Sequence, residues 1–483
     1  MIHEVELALT LIYTVLGIGL IIPVIAVVGG RKSKLIQWLA VLSALLTIAT
    51  GAIMLDVTIR NGPIALYNNT VVHDAFTSFI VLGAGITATL ALTAAGKEPL
   101  IWESSPSYYG LLPIALFGIF VISGVRDALL LLATWLLVSV LAYVYIALPV
   151  ERESRAAAVR YIMLGAVATL FLAIWVAANT VLSTSQNLYP YQIAPLSSDK
   201  FSGFVLITLL AALGFKVGVA PFHWWIPSVY GRADGRVVSI VAAVIKLGFI
   251  AVLTRLVYYM AGGEALGNVY SLGILAGSKA LAYTLAILAV VTMTYGNIAA
   301  LTTDDLRALL SYSSIAQIGY ILAAMAALAY FTPRGNPALV NYAFAAVAVQ
   351  AVAYGIAKAP LFSLTSNVRT LRELRGLLGR SRAGAAGAIL LFSLLGMPPM
   401  LGFWGKLYMF IAVAGFSILL VIAAFINSAI SSAYYVRFAR DMVSESGTSE
   451  KGVAKSVEAA LIAGAIIIIA LGLVAPAIFS LIY

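Results

Sequence analysis

Residues 201–257, FSGFVLITLLAALGFKVGVAPFHWWIPSVYGRADGRVVSIVAAVIKLGFIAVLTRLV, decide the fold. They hold two apolar runs of bilayer length, each with one lysine inside it, Lys216 and Lys246. About 20 apolar residues carry a helix across a hydrocarbon core. A lysine there costs ~3 kcal/mol or more, which makes such residues rare and marks a functional site. The patch Gly214 to Pro221 around Lys216 predicts an interrupted helix. Such a break is tolerated at membrane depth only against protein or beside a polar cavity. Residues 390–413, LLFSLLGMPPMLGFWGKLYMFIAV, repeat the arrangement with Pro398, Pro399 and Lys406. Two broken spans with one lysine each predict a duplicated ion path.

The rest of the chain reads the same way. It is 62% apolar and 10% charged, against about 45–50% and about 25% in soluble domains. Runs of about 20 apolar residues recur along its length, which defines an all-α polytopic membrane protein. A β-barrel would alternate apolar and polar residues. The absence of cysteine excludes disulfides, cysteine-ligated clusters and thiol chemistry. His3, His73 and His223 are too scattered for a haem or a tetrahedral metal site. No cofactor and no metal are expected. The net charge of +10 resides in short connections between spans, which is membrane topology and not nucleic-acid binding. The N-terminus lacks a positive leader region, so no cleavable signal is expected.

Fourteen spans are predicted, near 6–28, 35–56, 75–95, 110–124, 128–149, 157–180, 201–222, 237–260, 276–300, 306–329, 340–364, 385–410, 415–437 and 457–482. With the N-terminus outside, eighteen basic residues fall on the inner side, among them Arg31, Lys32, Lys97, Arg232, Arg236, Arg369, Arg380, Arg440 and Lys451. Six fall outside: Arg60, Arg126, Lys200, Arg255, Lys279 and Arg334. That bias places both termini outside. VTIRNGPIALYNN, between spans 2 and 3, has the turn residues of an outside hairpin. Ser366 to Arg382 is cationic, with Leu371, Leu374, Leu377 and Leu378 at helical spacing, and predicts a helix along the inner membrane surface.

Lys216, Lys246, Lys358 and Lys406 all lie inside apolar spans. Snorkelling at a helix end or a structural ion pair would explain one of them. Four in one chain, two beside helix breaks, argue for a relay. A partly dehydrated lysine can gain and lose a proton near neutral pH, where an arginine cannot. Polar neighbours for such a path are His223, Ser311, Tyr312, Ser313, Ser314, Gln317 and Tyr320, although SYSSIAQIGY could equally serve helix–helix hydrogen bonding. No carboxylate sits in mid-span. Asp127, Asp304 and Asp305 lie at helix ends, where capping is the expected role. Nothing resembles a hydrolytic site, a phosphate loop or a paired-carboxylate site.

Five motifs carry a resemblance: KVGVAPFHWWIPSVY (216–230), KLGFIAVLTRL (246–256), GNIAALTTDDLRALLSYSSIAQIGYIL (296–322), AKAPLFSLTSNVRTLRELRGL (357–377) and SLLGMPPMLGFWGKLYMF (393–410). Together they resemble the antiporter-like subunits shared by respiratory complex I, group 4 membrane hydrogenases and Mrp-type sodium/proton antiporters. RYIMLGAVAT and a chain ending soon after its last span look most like the N-type subunit. KLGFIAVLTRL and AKAPLFSL lean toward the M-type and Mrp D-type subunits. The resemblance implies two inverted five-helix repeats with spans 7 and 12 broken. The chain then divides into a three-helix segment (1–109), a first repeat (110–262), a second repeat (272–440) and a last loop and helix (441–483).

It also implies a midplane line of protonatable residues: Lys216 as the central lysine of the first half, Lys246 as the bridge between halves, Lys358, and Lys406 as the outlet. One departure stands out. The family pairs a span-5 glutamate with a span-6 lysine, and aligned on LLVS (136–139) these positions hold Leu136 and Arg160. By resemblance, the chain is a non-catalytic, proton-translocating subunit of a redox-driven complex in a prokaryotic cell membrane, in contact with lipid and other membrane subunits. An Mrp-type D subunit, or a spacer whose ion path has decayed, are the competing readings.

Overall fold

The computed structural model describes residues 1–29, 34–96, 105–263, 272–377, 381–444 and 453–482. Arg31, Lys32, Lys97, Leu378, Arg380 and Lys451, used above for topology and amphipathicity, lie outside the described residues. Among those described, thirteen helices are long and apolar enough to cross a membrane. A pair of shorter apolar helices, Arg382–Leu395 and Leu401–Ala414, supplies the fourteenth crossing as a broken span 12. Helices dominate because hydrocarbon offers the backbone no hydrogen-bond partner, so each segment must bond within itself.

Burial orders the bundle. Span 8 (Gly235–Met260) is buried along its whole apolar window and span 10 (Leu306–Phe331) along most of it. Span 1 (Ile2–Val28), span 6 (Arg152–Ser185), span 9 (Leu272–Leu301) and span 13 (Ile418–Val443) bury only about a third of theirs. The latter turn apolar side chains such as Leu20, Met163, Ile287 and Phe425 outward, as lipid or another apolar surface requires. Spans 8 and 10 therefore form the axis, flanked by span 7 and by span 11 (Pro337–Leu364).

Both expected breaks are present and share one design. Span 7 runs as Lys200–Val217, stops, and resumes as the short helix Trp225–Tyr230. Gly218 closes its first part with φ 94°, and the amides of Gly218 and Val219 both return to Gly214 O at 2.9 and 2.7 Å. In span 12, Gly396 closes Arg382–Leu395 with φ 91°, and the Gly396 and Met397 amides return to Phe392 O at 3.0 Å each. Only glycine adopts this left-handed closure without strain. Span 8 carries a third irregularity, a π-helical turn at Ile240–Ile245 directly before Lys246.

The hairpin between spans 2 and 3 forms as Ile64–Leu66 (β1) against Val71–His73 (β2), antiparallel. Asp127 and Asp305 cap helices as expected: Asp127 Oδ1 accepts from the Leu129 and Leu130 amides, and Asp305 Oδ1 from Ala308. Three expectations need correction. Asp304 caps nothing and pairs with Arg437 at 3.2 Å. The surface helix at 366–382 shrinks to one turn, Leu371–Leu374, because the flanking backbone bonds to the span-10 entry instead (Leu306 N to Arg369 O, Leu371 N to Asp304 O). Span 4 (Ser105–Ser123) starts earlier than expected, since a proline in the first helical turn, here Pro106, removes no intrahelical bond.

Candidate functional site: four buried lysines

Lys216, Lys246, Lys358 and Lys406 are 2%, 1%, 0% and 4% exposed. Among the described residues none forms an ion pair with a carboxylate. The question for each is what replaces the lost water.

Lys216 occupies the last turn of the first part of span 7, where the helix dipole favours a cation. Its Nζ donates to Tyr143 Oη at 3.2 Å and otherwise meets rings: Tyr143 at 4.3 Å, Tyr161 at 5.0 Å, Phe249 at 5.1 Å and Trp135 at 5.9 Å from the centroids. The break beside it is sealed locally. Trp225 Nε1 donates to Phe215 O at 2.8 Å, and the Ala220 amide donates to Thr292 Oγ1 at 3.0 Å.

Lys246 opens the α-helical part of span 8 after the π turn. Its Nζ has no hydrogen-bond partner among the described residues; it faces the rings of Tyr230 at 5.5 Å and Tyr354 at 5.9 Å. Lys358, one turn beyond Tyr354 on span 11, lies 5.9 Å from the same Tyr354 ring. Tyr354 thus stands between the two lysines, and its hydroxyl donates to Ala242 O of the π turn at 2.9 Å. A ring series joins Lys216 to this pair: Tyr143 against Tyr161 at 4.7 Å, Tyr161 stacked on Trp225 at 4.5 Å, and Trp225 against Tyr230 at 5.4 Å.

The second half adds hydrogen bonds to its ring contacts. Lys358 Nζ donates to Leu310 O at 2.7 Å and to Ser313 Oγ. Gln350 Nε2 donates to Gln317 Oε1 at 2.6 Å, and Gln317 Nε2 donates to Leu394 O and to Tyr435 Oη at 2.9 and 3.1 Å. Lys406 reaches back across the break, where Gly396 leaves room for its stem. Its Nζ donates to Leu395 O at 2.7 Å and to Ser428 Oγ at 3.0 Å, 4.5 Å over the Tyr320 ring. Gln317 and Lys406 therefore satisfy the carbonyls that end the first half of span 12. Asn297 Nδ2 extends the network to Tyr320 Oη and Asn427 Oδ1 at 3.3 and 3.1 Å.

The structure brings most of the expected residues together, but not all. Ser311 and Ser314 donate to their own helix, at Arg307 O and Leu310 O; Ser313 is the hydroxyl that touches Lys358. His223 lies in the span-7 break against Tyr295, ring centroids 4.0 Å apart, away from the lysines. Leu136 is 43% exposed, and Arg160 is exposed well inside its helix rather than at its start, so neither bears on Lys216. Sequence reasoning missed Tyr143, Tyr354 and Gln350. The spacing Tyr354 to Lys358, one helical turn, was the available signal.

A bundle of fourteen crossings, with two glycine-closed helix breaks and a buried row of lysines, defines a polytopic membrane protein built for moving charge rather than for soluble enzymology. The chain belongs to the NADH:quinone oxidoreductase/Mrp antiporter transmembrane family, whose model matches residues 126–431. Among its relatives, NADH-quinone oxidoreductase subunit N of Helicobacter hepaticus is 31% identical over 366 residues, covering 73% of this chain and 70% of its own. Solved structures share the fold. A chain of Thermus thermophilus respiratory complex I has TM-score 0.76 at 23% identity, covering 97% of this chain and 98% of its own. A chain of the Mrp complex of Dietzia sp. has TM-score 0.80 at 18% identity, covering 100% and 96%.

Proposed function

We propose that this chain is the proton-translocating, antiporter-like membrane subunit of a redox-driven respiratory complex, related to NADH:quinone oxidoreductase and holding no redox centre itself. It sits in the cell membrane of a prokaryote, both termini outside, against other membrane subunits and lipid. The observation that carries this reading is the row Lys216, Lys246, Lys358, Lys406: four buried amines, without carboxylate partners among the described residues, set among aromatic rings in the first half and among rings and polar side chains in the second. On this reading a proton enters near Lys216, passes by way of Lys246 and Lys358, and leaves by way of Lys406. Residues 110–262 and 272–440 are the two repeats, between the segments 1–109 and 441–483. Ser313, Gln317 and Gln350 carry the second half, while Ser311 and Ser314, bonded to their own helix, and His223, in the span-7 break, flank the path.

The test is pumping by the purified complex in proteoliposomes. Lys216→Ala and Lys406→Ala should assemble normally and lose proton uptake coupled to electron transfer. Parental uptake in both variants would end the relay reading. A second reading, a subunit of a cation/proton antiporter driven by ion gradients, is favoured by the full-length fold likeness to the Mrp complex chain. The partner chains of the native complex, identified by mass spectrometry, decide between the two.

A further inference from the structure

A charge buried in protein requires either a counter-ion or a polarisable substitute. Lys216 has no counter-ion among the described residues, and the two positions aligned with the family's ion pair, Leu136 and Arg160, face outward. Four aromatic rings surround its Nζ at 4.3 to 5.9 Å, contributed by three different helices. Span 5 (Ala128–Ala147) supplies Trp135 and Tyr143, span 6 supplies Tyr161, and span 8 supplies Phe249.

The rings are held in place independently of the lysine. Trp135 Nε1 donates to Thr169 Oγ1 at 3.3 Å and packs edge-on against Phe249 at 5.0 Å. Tyr161 is stacked on Trp225. The Tyr143 phenol lies directly on Gly165 of span 6, where an added methyl would come within 1.9 Å of Tyr143 Oη. That position must be glycine for the hydroxyl to stand beside the amine.

Resting on the relay reading above, we propose that Trp135, Tyr143, Tyr161 and Phe249 form an aromatic cage that holds the ammonium of Lys216 in place of a carboxylate, with the Tyr143 hydroxyl as its positioning hydrogen-bond acceptor. Ring faces attract a cation and are indifferent to a neutral amine, an attraction that grows when water is excluded. The cage therefore does what a carboxylate would do, favouring the charged form, without adding a second titrating charge. The titratable groups that face Lys216 are the phenols of Tyr143, from span 5, and Tyr161, from span 6. Span 8 contributes only Phe249, and Tyr230 beyond the break is turned toward Lys246.

The experiment replaces Phe249 with mono-, di- and trifluorophenylalanine in the whole complex and measures proton uptake against pH. Fluorine withdraws density from the ring face while nearly preserving its shape, so a packing role would be insensitive to it. Weaker rings hold the ammonium less, so the pH of half-maximal uptake should move stepwise to lower pH. Uptake at neutral pH should fall about two- to fivefold across the series, the scale of one cation–π contact. Tyr143→Phe, which keeps the ring, should shift the profile less than Gly165→Ala, which displaces ring and hydroxyl together. A flat fluorination series, with Lys216→Ala still inactive, overturns the cage and leaves the relay intact. Parental uptake in Lys216→Ala overturns both.

Discussion

Tyr354→Phe isolates one hydrogen bond at the junction between the two halves. The hydroxyl donates to Ala242 O at 2.9 Å, with both residues fully buried. The substitution keeps the ring that stands 5.9 Å from both Lys246 and Lys358, so ring–cation contacts persist and only the bond is lost. Removing one partner of a buried bond costs ~1–3 kcal/mol, because the carbonyl is left unsatisfied. Here that carbonyl belongs to the π turn preceding Lys246. Without its donor, the turn gains by relaxing toward regular α-helix, and a one-residue change of register rotates the remainder of the span by about 100°. Lys246 would then leave its place between Tyr230 and Tyr354. If ~1.4 kcal/mol of the loss falls on the transport-competent arrangement, proton uptake drops about tenfold. Global stability should fall only slightly, since a single bond is a small part of a bundle this size. Uptake by proteoliposomes, normalised to electron transfer, gives the first quantity, and a detergent melting curve the second. Parental uptake with unchanged melting would refute the claim that this phenol holds the π turn.

Other expectations concern the hairpin side of the bundle and span 6. Asp74→Ala strips both the span-3 cap and the partner of buried Arg255, costing ~3 kcal/mol for the pair and about 1 kcal/mol for the cap. Adding Arg255→Met should recover most of the loss in chemical unfolding, and a double variant no more stable than the single one would contradict this. His73, the buried last residue of β2, is pushed down to about 4 by burial, with Asp74 opposing and Arg255 assisting. The folded protein therefore keeps it neutral where an unfolded histidine, with its pKa near ~6.5, takes up a proton. Stability should fall as pH drops from about 6.5 toward 4, and His73→Gln should flatten that slope in pH-dependent melting. Cysteines at Glu151 and Tyr189, beyond opposite ends of the long span-6 helix, should label from opposite sides with an impermeant maleimide; same-side labelling would contradict the topology. Arg160→Gln, on the outer surface, should change uptake less than twofold, a barrier change under ~0.4 kcal/mol, and a severe loss in an assembled complex would place the arginine in the path.

The sequence disclosed the spans, the two breaks and the four lysines because each leaves a one-dimensional mark: an apolar run, a Gly/Pro cluster, a charge where none is tolerated. The surroundings of each lysine left no such mark. Tyr143 and Tyr161 sit on helices far in sequence from Lys216, and their aromatic character is ordinary for an apolar span. Ser311, Ser313 and Ser314 could not be ranked by spacing, since each has an intrahelical carbonyl within reach; packing leaves Ser313 to contact Lys358. Leucines at helical spacing suggested a surface helix after span 11, but backbone pairing with residues 304–306 outcompeted it. Span 6 extends past both predicted limits, and Arg160 stands exposed within it rather than at its start.

The two broken spans hold their lysines by a different balance of contacts, four ring faces at Lys216 against one at Lys406. At Lys406 two hydrogen bonds, to a helix-terminal carbonyl and a serine hydroxyl, accompany a single ring face, Tyr320 at 4.5 Å. A neutral amine still carries N–H donors for both, so loss of a proton leaves that side chain where it is. At Lys216 the contacts are chiefly ring faces, whose attraction vanishes with the charge. A proton leaving Lys216 therefore frees the side chain from most of its restraints, beside a helix break closed by a single left-handed glycine. On the proposed relay, the first half would couple charge to side-chain position, and the second would conduct from a more fixed site. A device that must be driven needs the former; a device that must release needs only the latter. On that proposal the ring-lined series toward Tyr230 and Lys246 belongs with the driven half, and the amide and hydroxyl network around Lys406 with the outlet.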